Sequence, residues 1–222
     1  MTAIERPLRR DAERNRGLIL ESARALFAQR GLTVSLDEIA RHAGVGVGTV
    51  YRRFPSREQL IDALFEERLA QIVTLAQNAL ACGDAWLGFT RFVEGALECQ
   101  AADKGLKELL LSTREGRDRI TQFRTRMIPL ATELVRRAQA AGSLRKDFSP
   151  QDIPLLQMML GATVDAAEAI RPDLWRRYLA LTLDGMRVDR PHEPLPVPPA
   201  DLDELDCVMR SWTPPRRRLE DA

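Results

Sequence analysis

Apolar residues recur at three- and four-residue spacings along most of the chain and seldom in strict alternation, so the pattern predicts helices rather than strands. From Asp11 to Arg30, Ile19, Ala23, Leu26 and Phe27 make one apolar stripe, which Gly31 is expected to end. Ser35 and Glu38 then form a capping box that opens a helix at Leu36, with Leu36, Ile39, Ala40 and Ala43 on one face. Gly44 supplies a left-handed end, and a second short helix over 46–53 follows, with Val45 and Val50 able to pack back on Ile39 and Ala43. Two short helices joined by a glycine turn are a helix-turn-helix. Ser56 and Gln59 predict another capping box, and Leu60, Leu64, Leu69, Ile72, Val73, Ala76 and Leu80 carry one stripe to about Ala81.

Beyond that point the periodicity continues. Asp84 is placed to cap a helix holding Trp86, Phe89 and Phe92, and a short helix is expected over Asp103–Leu111. A long one runs from about Glu115 to Ala141, with a kink or break expected at Pro129 and an end at Gly142. Ser149 and Pro150 read as the cap and first turn of a helix reaching about Ile170, and Pro172 opens the last long one. The fold class is therefore all-α, with about nine helices. Residues 1–57 form a three-helix helix-turn-helix domain, 58–187 an all-helical body, and 188–222 a proline-rich tail in which DLDELDCVMRSW can form a short helix.

Charge sharpens this division. The net charge is only +1, but residues 1–57 hold eleven arginines against six acidic residues, leaving the remainder acidic. The amino-terminal quarter is thus the end suited to a polyanion. The second helix of the turn unit is polar and cationic, as a helix seated in a DNA groove is. Its candidate DNA contacts are Thr33, Ser35, Val45, Gly46, Val47, Thr49, Tyr51, Arg52, Arg53 and Arg57. Arg6, Arg9 and Arg10 read as a flexible arm ahead of the first helix, able to reach phosphates or the minor groove. The plainer alternative for this unit is a small helical hairpin with a solvated basic face, and the runner-up for the whole chain is a helical protein-interaction module whose turn unit no longer reads DNA.

Residues 17–65 resemble the amino-terminal domain of TetR-type transcriptional regulators. The stretch Ile19 to Gly31 is similar to that family's first helix and Val34 to Leu60 to its turn unit, although Gly46 and Val47 replace a common Ser and basic residue and Arg53 a common His. The resemblance implies a ligand-responsive repressor that binds a double-stranded, palindromic operator as a homodimer. It also implies that the helix over 56–81 tilts when an effector binds and that residues 150–187 hold the dimer. Leu160 and Leu183 are candidates for that interface. An unidentified small molecule would sit in the body, and Trp86, Phe89, Phe92, Phe123, Met127, Met158, Met159 and Trp175 are its candidate lining.

Other chemistry is poorly supported. Only His42 and His192 are available as histidines, neither beside a triad or a ligand set, so no enzyme, metal site or cofactor is expected. The GVGVG run at 44–48 follows a helix rather than a strand and lacks the third glycine of a dinucleotide loop. Three scattered cysteines give no disulfide framework, and the chain has neither a signal-like start nor a membrane-length apolar run, so a cytoplasmic protein is expected.

Overall fold

A computed structural model describes residues 5–30, 33–102, 114–189 and 193–211, and every regular element in them is helical. Among these residues there are nine helices: α1 (Glu5–Arg30), α2 (Leu36–Ala43), α3 (Val47–Arg53), α4 (Arg57–Ala81), α5 (Ala85–Ala102), α6 (Arg114–Ala140), α7 (Asp152–Ala167), α8 (Leu174–Met186) and α9 (Leu202–Ser211). The one extended pairing among the described residues is an isolated bridge between Leu144 and Arg187. The expected helix over Asp103–Leu111, the end at Gly31 and the reading of His192 lie outside the described residues.

The chain divides into two compact units, the first ending at Ala70 and the second starting at Gln71, so the division falls inside α4. The first unit gathers α1, α2, α3 and the first part of α4 around Ile19, Leu20, Ala23, Phe27, Ile39, Val50, Leu60 and Leu64, all buried. α1 lies against α2, and α2 against α3. Burial of Ile19, Ala23, Leu26 and Phe27 follows the predicted stripe. The expected flexible arm, however, is helical from Glu5 onward. Pro7 permits this because the first turn of a helix has no internal partner for its N–H groups.

The second unit is built on one core that contains Phe89, Phe92, Leu97, Met127, Leu134, Val135, Leu144, Phe148, Leu160, Trp175 and Leu179. α5 lies against α6 and α7, and α7 against α8. Phe89 stacks on Trp86 at 5.9 Å and meets Phe148 edge-on at 5.7 Å. The Asp84 carboxylate accepts the Leu87 N–H at 3.0 Å and so starts α5. Arg137 reaches back to the end of α4, donating to the carbonyls of Leu80 and of Cys82, the latter at 3.1 Å. Carbonyls at a helix end lack internal partners, so this cation satisfies groups that would otherwise be orphaned.

Two expectations for this unit need correction. Of the kink or break expected at Pro129 the break does not occur, because α6 runs undivided through that residue. α7 begins at Asp152 rather than at Pro150: the Asp152 carboxylate accepts the Ser149 N–H at 2.7 Å, and Pro150 and Gln151 form the turn before the helix. Gly142, with φ of 69°, ends the α6 segment as the sequence indicated.

The tail is fastened to this unit. Arg145 and Asp147 form a two-pronged pair at 2.6 and 2.9 Å, and each also holds the tail backbone, Arg145 through the Glu193 carbonyl and Asp147 through the Leu195 N–H. Further on, Asp201 and Glu204 box the start of α9, Leu205 is buried, and Asp206 pairs with Arg124 of α6.

Candidate nucleic-acid interface

The site begins with the cap that starts α2. The Ser35 hydroxyl accepts the Glu38 N–H at 3.2 Å, and the Glu38 carboxylate accepts the Ser35 N–H at 2.9 Å. Arg30, in the last turn of α1, adds an ion pair to Glu38 at 2.7 Å. The Ser35 N–H, the Arg30 guanidinium and the Ser35 hydroxyl together draw the Glu38 carboxyl from an ordinary 4.5 to about 2. Its ionised form therefore favours the folded state. That contribution is complete above about pH 4.5 and is lost as the pH falls toward 2. Glu38→Gln is expected to lower thermal stability at pH 6 while flattening its fall between pH 5 and pH 2.5. Equal acid sensitivity in both proteins would refute this role for the pair.

Gly44, with φ of 66°, ends α2, and its N–H turns back to the Arg41 carbonyl. The Val45 N–H joins the Ala40 carbonyl at 3.1 Å, which swings the chain into α3. Val50 is fully buried and fixes which side of α3 faces the protein. The rest of its surface is left open: Val47 is 42% exposed, Tyr51 45%, and Gly48 and Arg52 are exposed beside them. Gly46 caps α3 without any side-chain hydrogen bond.

The predicted contact residues thus separate. Val47, Gly48, Tyr51, Arg52 and Arg53 are exposed on α3, while Thr49 is half-buried. Thr33 and Ser35 sit at the end of α1 and the start of α2; the Thr33 hydroxyl donates to the Arg30 carbonyl at 2.9 Å, and Ser35 serves the cap. Val45 is half-buried in the turn. Arg57, in the first turn of α4, is half-buried. Its guanidinium lies over the Phe27 ring, 5.5 Å from the centroid, with Nε and Nη2 buried. The cation is held against an apolar face, where its stem and plane pack as well as carry charge. His42 is exposed.

Carboxylates on neighbouring helices engage the same surface. Glu13 of α1 lies 3.6 Å from Arg53, an exposed pair worth little in water. Asp37, in the first turn of α2, is hydrogen-bonded to the Tyr51 hydroxyl and pushes that phenol above its usual pKa. Neither partner could be found from local spacing, because both pairs join different helices.

In the second unit, Phe89, Phe92, Met127 and Trp175 are core residues, and Trp86 and Phe123 pack at the core's edge. Met158 is half-buried. Met159 is 52% exposed and points away from the core.

Residues 19–64 match the model of the tetR family of bacterial regulatory proteins, and residues 83–188 match the C-terminal domain of SbtR-like transcriptional regulators. A solved TetR transcription regulatory protein from Mycobacterium vanbaalenii is similar at 34% identity and a TM-score of 0.64, covering 82% of this chain and 100% of that one. A TetR transcriptional regulator from Streptomyces coelicolor is similar at 29% identity and a TM-score of 0.63, covering 79% and 99%. An HTH-type transcriptional regulator of Staphylococcus aureus is 34% identical over 88 residues, 39% of this chain and 46% of that protein. The chain therefore spans about half the length, or less, of the curated relatives it matches. It belongs to the TetR family of DNA-binding transcriptional regulators. No helix among the described residues is long and apolar enough to cross a membrane.

Proposed function

We propose that this regulator binds a palindromic operator as a homodimer, represses from it, and leaves it when an apolar small molecule enters the second unit. The observation that carries the DNA half is the exposed surface of α3, where Val47, Tyr51 and Arg52 stand in the open while Val50 is buried. A side chain with no packing task on a helix that belongs to a turn unit is available to a groove. Selection of bound fragments from genomic DNA would define the operator. Tyr51→Ala is then expected to weaken it by roughly 10- to 150-fold for each half-site, the loss of one hydrogen bond to a charged phosphate in each. Arg52→Ala and Arg53→Ala are each expected to reduce the salt slope by about 0.9 for each phosphate that the arginine no longer neutralises. Unchanged affinity for folded Tyr51→Ala, with unchanged slopes in both arginine variants, would reject α3 as the reading element.

The effector half rests on the aromatic and Met side chains of α5, α6, α7 and α8, an apolar interior of the kind that holds small molecules. Among the described residues α4 contributes to both units, so a ligand that favours one setting of it shifts DNA affinity. The coupling is reciprocal and, at the usual 1–3 kcal/mol, changes affinity by about 5- to 150-fold. Titration of an apolar hit from a thermal-shift screen, with and without operator, measures both directions. A ligand that binds the protein and leaves operator affinity unaltered would reject the switch.

A further inference from the structure

Two glycines flank Val47, and the fold explains neither. Gly46 has φ of −63°, which any residue adopts, and a Cβ there would meet only the Thr49 Oγ1 at an ordinary 3.7 Å. A Cβ on Gly48 would meet nothing within 4 Å, and its φ is not left-handed. Gly48 nevertheless sits in the first turn of α3, where glycine is a poorer helix former than alanine. Among the described residues nothing packs on the position of its missing Cβ to offset that cost. Between these bare positions Val47 rises as a lone aliphatic side chain, 42% exposed, on the same side of the helix as Tyr51.

This relief has a defined complement in DNA. In the major groove the base edges present donors, acceptors and one aliphatic group, the C5-methyl of thymine. Valine has no hydrogen-bonding atom on its side chain. Guanine, cytosine and adenine offer it only hydrogen-bonding groups, whereas thymine, beside its O4 acceptor, offers a methyl for it to cover. Missing Cβ atoms on both sides let the backbone of α3 come close enough for that approach. Resting on the operator-binding reading above, we infer that Val47 reads a thymine methyl in each half-site and that Gly46 and Gly48 keep the way to it open.

The test uses the full-length protein. Once selection has given the half-site, each of its thymines is replaced in turn by deoxyuridine, which removes only the methyl. One position should lower affinity about fourfold per half-site and about fifteenfold when both half-sites are changed, as expected for one methyl-sized group. In Val47→Ala, which shortens this partly exposed side chain, that difference should vanish while other thymines behave as before. Gly48→Ala should raise the melting temperature and weaken the operator. If no fragment is enriched, the operator reading itself fails. If fragments are enriched but no methyl matters, or the methyl matters equally in Val47→Ala, the role of Val47 is overturned. A more stable Gly48→Ala with undiminished affinity would overturn the role of the glycines.

Discussion

Met159→Arg and Leu181→Arg are expected to give folded monomers and to lower operator affinity at least about a hundredfold, the low end of a lost avidity. Met159 on α7 is 52% exposed and Leu181 on α8 58% exposed, and Tyr178 adds a third apolar surface one turn before Leu181. Their sequence neighbours Leu160 and Leu179 are buried, so the two helices spend one apolar side on the unit's own core and present another outward. Large apolar side chains left in water on adjacent helices are suited to a second copy, in keeping with the dimer proposed above. A charge on that side is harmless in a monomer but must be desolvated in an interface. Without the dimer, two linked half-site engagements become one, which removes an avidity of about a hundred- to ten-thousandfold. Leu160→Arg cannot make this test, because Leu160 is in the core, and Leu183 packs against the core as well. Sedimentation showing native-like dimers for both Met159→Arg and Leu181→Arg would place the interface elsewhere.

That contrast marks where the sequence was readable. Local chemistry set the starts and ends of several helices: Ser35 with Glu38 and Gly44 bound α2, and Asp84 starts α5, each through a hydrogen bond or a backbone conformation encoded within four residues. The inward faces of α1 and α4 were also readable, because each has one apolar stripe. α8 was not. With Trp175, Tyr178, Leu179, Leu181, Leu183 and Met186 spread around it, periodicity cannot say which row meets the core, and only the packed neighbours decide. The start of α1 was hidden for the opposite reason, since a highly charged opening gives no apolar period to read. At the DNA-facing site, spacing located the helix but could not separate exposed Arg52 from Arg57, whose guanidinium packs on the ring of Phe27, far away in sequence. The acidic partners of Arg53 and Tyr51 were invisible on the same ground.

Gly88→Ala sets local propensity directly against packing. Inside a helix the change should stabilise by about 1 kcal/mol, since alanine is the better helix former. The surroundings of Gly88 in α5 reverse the sign. A Cβ at that position would lie 2.4 Å from the Ala79 carbonyl oxygen, with the Ala79 carbonyl carbon and the Cys82 Cβ each at 3.3 Å. The obstacle is backbone, which has no rotamer to change. It is also pinned: the Ala79 carbonyl accepts the Cys82 N–H at 3.2 Å, and Arg137 holds the nearby carbonyls of Leu80 and Cys82. Relief therefore requires the α4–α5 corner to open, at an expected net cost of about 1–3 kcal/mol. For a chain of this size that lowers the melting temperature by about 2–4 °C per kcal/mol. Gly83→Ala, in the same turn but with nothing within 4 Å of its added Cβ, should stay within about 0.5 kcal/mol of the parent. Urea denaturation of the two variants side by side measures the difference. A Gly88→Ala protein as stable as the parent would mean that α5 does not pass the end of α4 at this distance.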